Sequence, residues 1–132
     1  MIFASDLLRG IDSDLIVSTI KLSSYEGVKS SGSIKVHSDI DINLTNKDVL
    51  IIEDIIDSGQ TYEFLKQHLT EHHRPRSIKL CTLLDKPEAL TTSCKIDYLG
   101  FSIGKEFVIG YGLDYDQRFR NLPNIRQVLE HD

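Results

Sequence analysis

The sequence is poor in cysteine, in clustered positive charge and in long apolar runs, and each shortage removes a class of protein. Its two cysteines, Cys81 and Cys94, make neither a disulfide framework nor a metal-ligand spacing. Cys81 stands inside the apolar stretch Ile78–Leu84, where a buried thiol acts as a small hydrophobe. Lys and Arg total 15 against 20 Asp and Glu, a formal net charge of −5, which argues against a nucleic-acid or anionic-membrane footprint. The acids are also too dispersed to form an acidic tail. No apolar run approaches the roughly 18 residues of a membrane span. The opening MIFASDLLRG has no basic n-region and no continuous apolar core, so no signal peptide is expected and the default setting is cytoplasmic and reducing. What is present is ordinary for a globular chain: 132 residues, 40% hydrophobic and 27% charged, enough for one domain spanning 1–132 with a real core.

Phe3, Leu7, Leu8 and Ile11 fall roughly on one helical face that stops near Gly10–Asp12. Leu15–Ile20 (LIVSTI) is β-branched and apolar and reads as a strand. SSYEGVKSSGS, residues 23–33, reads as a loop, either a functional lid or a hairpin tip. A short strand over Ser33–Val36 leads to a turn at Asn46-Lys47 and then to Asp48–Ile52 (DVLII), a near-continuous apolar run suited to a strand buried on both faces. Gln60–His73 carries Tyr62, Leu65 and Leu69 at helical spacing, with Phe64 beside them. His72, His73 and Arg74 suit its C-terminal end, and Pro75 stops it. Ile78–Leu84, Asp97–Ile103 and Phe107–Ile109 read as further strands. Strands alternating with helices, joined by connections too long for hairpins, imply an α/β fold with a largely parallel sheet. The chain opens on a helix with no strand before it, whereas such folds ordinarily begin strand–loop–helix.

The stretch VLIIEDIIDSGQT, residues 49–61, concentrates the chemistry. In an α/β fold it ends at the carboxyl edge of the sheet, where ligands bind. Glu53 and Asp54, being adjacent, leave an extended strand on opposite sides. Asp57 follows in the turn, and the backbone amides at the helix start, with Gly59 allowing close approach, make a cradle for an anion such as a phosphate. Ser58 and Thr61 add hydroxyls. Donors for phosphate beside acceptors for sugar hydroxyls or a hydrated divalent cation suit a sugar phosphate. A bland alternative stands open: Asp57-x-x-Gln60 also fits a capping box with no ligand. A metal cluster is a further alternative, but no His or Cys accompanies the acids. Lys86, just past Ile78–Leu84, would share that edge with Asp57, although a lone Lys there is usually solvated. GFSIGKE (100–106) misses the phosphate-loop pattern by one residue, and no G-x-G-x-x-G occurs. The five histidines read as surface or cap residues.

VLIIEDIIDSGQT resembles the phosphoribosyl-pyrophosphate signature of type I phosphoribosyltransferases, and EDIIDSG resembles the form found in the hypoxanthine and hypoxanthine-guanine branch of purine salvage. SSYEGVKSSGSIKV is similar to that branch's mobile loop and LLDKPEA to its base-recognition strand end. DYLGFSIGKEFVIGYGLDYDQRFRNLP is similar to its C-terminal purine and metal segment. The matches run nearly the whole chain in the family's order. The resemblance implies an α/β type I phosphoribosyltransferase fold, a sheet flanked by helices, and transfer of the 5-phosphoribosyl group from phosphoribosyl pyrophosphate to a 6-oxopurine. It implies that Asp57 is the acid–base residue at purine N7, and that Glu53 and Asp54 hold the ribose hydroxyls and magnesium. Asp57, Ser58, Gly59, Gln60 and Thr61 would cradle the 5′-phosphate. Lys86 would bond the 6-oxo group, Phe107 would stack on the purine and the Val108 backbone would read its edge. Asp114 would ligate a second magnesium beside the purine, Arg120 would contact pyrophosphate, and Ser24 and Tyr25 would lie on the lid. It also implies a homo-oligomer, a dimer or tetramer, with no nucleic-acid or membrane partner.

The family has a further stretch before the part that MIFASDLL matches, including a core strand ending in a Leu-Lys-Gly pyrophosphate loop. The expectation is therefore a chain truncated at its N-terminus relative to the family, with Leu15–Ile20 and Asp48–Ile52 flanking a gap or paired anomalously. Two functional readings follow: a magnesium-dependent purine phosphoribosyltransferase, or a non-catalytic phosphoribosyl-pyrophosphate or nucleotide-binding regulator or inactive short homologue. A pyrimidine-using transferase fits LLDK and EFVIGYGLDY less well.

Overall fold

The computed structural model of the chain describes residues 1–24 and 33–129. Helix α1 (Ile2–Arg9) ends at Gly10, whose amide donates to the Leu7 carbonyl while the Ile11 amide donates to that of Leu8. Strands β1 (Lys21–Ser24) and β2 (Ile34–Ser38) pair antiparallel, Leu22 opposite Val36, with a register shift beside Lys21. Most of the expected lid, Tyr25 included, lies outside the described residues.

The centre is a parallel sheet in the order β3-β4-β5, formed by β3 (Asp48–Ile56), β4 (Ser77–Asp85) and β5 (Tyr98–Ser102). Helix α2 (Gln60–His72) makes the crossover that a parallel pair requires and buries Tyr62, Leu65 and Leu69. These three pack with Ile51, Ile56, Leu80 and Leu44 in one buried cluster. Leu80 is fully enclosed, so its truncation to alanine would cost about 2–5 kcal/mol. At the amino end of the sheet, Asp48 accepts from Arg76 Nε at 2.9 Å and from Ser77 Oγ at 2.6 Å, fixing where β3 and β4 begin. Asp97 Oδ2 accepts from the Leu80 amide at 2.8 Å and so sets the entry of β5.

Two expectations need correction. Leu15–Ile20 forms no strand; Leu15, Ile16 and Val17 are exposed, because apolar β-branched residues make a strand only with a neighbour to pair with. Among the described residues β3 is an edge, with no strand between it and that stretch. Second, β3 does not stop at Ile52. Its ladder with β4 continues through Glu53 opposite Thr82 to Ile56 opposite Asp85, so two acids belong to the strand itself. The expected strand at Ser33–Val36 is shifted to Ile34–Ser38 and that at Phe107–Ile109 shortens to β6 (Val108–Ile109), which pairs antiparallel with β7 (Arg126–Gln127).

Candidate active site

The carboxyl ends of β3 and β4 carry the site. Glu53 and Asp54 point to opposite faces of β3, as their adjacency requires. Both are half-buried. Burial, reinforced by the Asp54 carboxylate beside it, pushes the Glu53 carboxyl up to about 7. Asp54 faces the C-terminal segment: a Cβ added at Gly112 would stand 3.9 Å from its Oδ2. The Met1 ammonium lies 3.5 Å from the same oxygen.

Past Ile56 the chain turns sharply. Asp57 is exposed at the turn. Gly59 is the N-cap of α2, with φ 85° and ψ −7°, a left-handed conformation that glycine adopts without penalty. Gly59 has no side chain with which to cap the helix, and Asp57 and Gln60 do not form the capping box they could have made. Gln60 turns away instead, its Nε2 donating to Thr91 Oγ1 at 3.2 Å. Thr91 also anchors the turn from the other side, its amide donating to the Ser58 carbonyl at 3.0 Å. Ser58 Oγ accepts from the Gln60 amide at 3.3 Å, and Thr61 is exposed beside it. Uncapped amides and two hydroxyls around a fixed glycine turn can take up an anion.

Lys86 follows β4 directly, and its amide donates to the Ile56 carbonyl at 3.0 Å. That bond ties the base of Lys86 to the residue before Asp57. Sequence reasoning overlooked Asp85, the buried acid of LLDK. It accepts from Ser102 Oγ at 2.5 Å, and its carbonyl accepts from the Ile103 amide at 2.9 Å, so it locks the ends of β4 and β5 together beneath Lys86. The signal was available: an acid closing an apolar strand must find a donor when buried. Thr91 was missed as well, and nothing local in LTTS marks it.

The C-terminal segment folds as successive tight turns, with Gly110, Tyr111, Gly112, Asp116, Gln117 and Phe119 all at positive φ. Phe107 is 47% exposed and meets Tyr115 edge-on at 5.6 Å. Val108 is held in β6, and the Phe107 carbonyl accepts from the Val128 amide at 2.8 Å. Asp114 Oδ2 accepts from the Gln117 amide at 2.9 Å and lies 3.6 Å from Arg120 Nη2. Arg120 is occupied within its own segment, donating to the Gly112 carbonyl at 3.0 Å and to Gln117 Oε1 at 3.1 Å. The structure therefore brings Glu53, Asp54, the Asp57–Thr61 turn and Lys86 to one edge and lays Gly112 against Asp54. It keeps Arg120 on Asp114. Ser24 closes β1 at the start of the loop, and Tyr25 lies outside the described residues.

Comparison with known proteins identifies the family. The family model described as phosphoribosyl transferase domain matches residues 1–116. A hypoxanthine-guanine phosphoribosyltransferase of Lactococcus lactis is 46% identical over 124 residues, which are 93% of this chain and 67% of that protein. A bifunctional TilS/HprT protein of Listeria innocua is 48% identical over 124 residues, but the chain spans 19% of it. A crystal structure of a hypoxanthine-guanine phosphoribosyltransferase from Bacillus anthracis superposes with a TM-score of 0.90 at 46% identity, covering 97% of this chain and 75% of that one. The chain belongs to the phosphoribosyltransferase family, on its hypoxanthine-guanine phosphoribosyltransferase branch.

Proposed function

We propose that this chain is a cytoplasmic purine-salvage transferase that moves the 5-phosphoribosyl group from phosphoribosyl pyrophosphate to hypoxanthine or guanine, giving IMP or GMP and pyrophosphate. The observation that carries the reading is the single edge on which the acids of β3, the uncapped Gly59 turn and Lys86 meet. The turn Asp57–Thr61 receives the 5′-phosphate through backbone amides and the Ser58 and Thr61 hydroxyls. Glu53 and Asp54 accept hydrogen bonds from the ribose hydroxyls. Lys86 donates to the 6-oxo group, the Phe107 ring stacks on the base and the Val108 backbone meets its edge.

In the reaction the base N9 bonds to the sugar C1 as the C1–oxygen bond to pyrophosphate breaks, through an oxocarbenium-like state. Asp57 takes the proton from purine N7, so charge does not build on the base. Closure of the loop that starts at Ser24 and includes Tyr25 excludes water that would hydrolyse the activated sugar. The donor set fits magnesium: Glu53, Asp54 and Asp114 offer carboxylate oxygens alone, and Asp114 makes its contacts through Oδ2, leaving Oδ1 to a cation. When bound, the ion would neutralise charge on the pyrophosphate leaving group. Arg120 reaches pyrophosphate by releasing Asp114 and Gln117. Exposed Leu50 and Tyr98 on one face of the sheet, and Leu99 and Phe101 on the other, leave apolar surface for association into a dimer or tetramer.

A second reading, a non-catalytic phosphoribosyl-pyrophosphate-binding regulator, is favoured by the ion pair that keeps Arg120 on Asp114. One assay separates the two. Purified chain is incubated with phosphoribosyl pyrophosphate, magnesium and each 6-oxopurine, while binding is followed by calorimetry. Nucleotide formation supports the transferase; binding without product supports the regulator.

A further inference from the structure

The far end of α2 holds a group of side chains for which the transfer reaction has no use. Its 13 residues span about 20 Å, which separates this end from the Asp57–Thr61 turn. His68 lies on the penultimate turn of the helix and His73 is its C-cap. Asp39 arrives from the connection just after β2. His68 Nε2 is 3.0 Å from both oxygens of Asp39, and His73 Nε2 is 2.9 Å from Oδ1. All three ligand atoms lie within 4.8 Å of one another. The imidazoles are 13% and 15% exposed and the carboxylate 42%, so the nitrogens are sheltered and one side is open to water. His73 is thus a cap residue, as its sequence position implies, whereas His68 is neither a cap nor exposed, and both rings turn toward one carboxylate.

We propose that Asp39, His68 and His73 form a binding site for one zinc-class divalent ion, separate from the catalytic edge. Tetrahedral ligands about 2.0–2.1 Å from zinc stand roughly 3.3 Å apart. The present nitrogen–oxygen separations of 2.9 to 3.0 Å would widen by tenths of an ångström, and the two nitrogens lie within 4.8 Å of each other. Two imidazoles with one carboxylate exclude magnesium and calcium, which take oxygen ligands, and suit zinc, nickel or copper. Asp39 supplies the anionic ligand, and each imidazole would present Nε2 without its proton, the neutral ring keeping its hydrogen on Nδ1. His72 lies beside His68, the rings tilted 44° with centroids 4.8 Å apart, and is not among the three residues whose ligand atoms converge. A bound ion would clip the return strand of the β1–β2 hairpin to the end of α2.

The test is a titration of tag-free, metal-stripped chain with Zn2+ and with Co2+, in excess Mg2+ so that oxygen-only sites are filled. The expected result is one equivalent bound at micromolar concentration or below, with the intense visible bands of low-coordinate, nitrogen-ligated Co2+ and a zinc-dependent rise in Tm. His68→Gln and His73→Gln should each weaken binding at least about tenfold, the loss that even an outer-shell partner can cause. His72→Gln and Asp57→Asn should bind like the parent. Binding that survives both His68→Gln and His73→Gln, or is lost in His72→Gln, overturns the site. If a variant does not fold, the parent's Co2+ spectrum decides, since the weak absorption of hydrated octahedral ion would refute the proposal.

Discussion

Gly59→Ala tests the anion cradle through its backbone. Gly59 sits at φ 85°, and an added Cβ would stand 3.3 Å from Leu90 Cδ2 and 3.4 Å from Cys94 Cβ. Holding an L-residue in the left-handed region costs about 1–2 kcal/mol. The tight contact with Leu90 in a buried position adds about 1 kcal/mol. The stiffer unfolded chain returns about 0.4–1 kcal/mol. The net loss of stability is about 1–2.5 kcal/mol, read from urea unfolding followed by circular dichroism. The chain can relieve the strain by rotating the Ser58–Gly59 peptide, which breaks the 3.0 Å bond from the Thr91 amide to the Ser58 carbonyl. Amides then leave the phosphate position, so KM for phosphoribosyl pyrophosphate should rise more than kcat falls. Gly104→Ala is the control, because its Cβ would meet first the movable Glu106 carboxylate, at 2.9 Å. A Gly59→Ala protein as stable as the Gly104→Ala control, with an unaltered KM, would refute the reasoning.

Asp57→Asn should lower kcat by about 10²–10⁴-fold in steady-state nucleotide synthesis while leaving phosphoribosyl-pyrophosphate binding nearly intact; equal kcat in the two proteins would remove Asp57 from acid–base duty. Lys86→Ala should raise KM for 6-oxopurines and leave that for phosphoribosyl pyrophosphate within about twofold, and a mutant that accepts adenine or shows no change would count against the assigned contact. Glu53 predicts a pH effect in magnesium-free buffer. Its carboxyl rises from 4.5 to about 7 on folding, so between those values the native state binds more protons than the unfolded state and stability falls as pH rises. The loss is at most about 3 kcal/mol, complete above about pH 7, and absent in Glu53→Gln, whose unfolding free energy should exceed the parent's at pH 8. Parallel pH profiles for the two proteins would show that Glu53 is not perturbed.

The elements most legible in the sequence were those that satisfy their own periodicity. DVLII and the run Ile78–Leu84 announce parallel strands, and Tyr62, Leu65 and Leu69 announce the face of α2 that packs on them, although DVLII is not buried on both faces as expected, since Leu50 is exposed. The glycine turn after the acids was legible too, because an αL residue before a helix has few substitutes for glycine. What failed was whatever depends on a partner remote in sequence. Leu15–Ile20 has strand composition but no neighbouring strand to supply a ladder. Glu53 to Ile56 stay extended because β4 pairs with them, although local chemistry favours a turn. The Asp57–Gln60 capping box was displaced by a bond to Thr91, 31 residues away. The convergence of His68 and His73 on Asp39, across 29 and 34 residues, left no local trace.

The edge position of β3 has a consequence for its amide protons. Successive peptide groups along a strand point to alternate sides, and β4 accepts the bonds of one side only. In deuterium exchange the nine residues of β3 should therefore alternate between slow amides bound to β4 and fast ones facing outward. Any strand that docks on that edge, from another copy or another chain, would erase the alternation residue by residue. The same strand that carries the acids thus doubles as a gauge of what lies beside it.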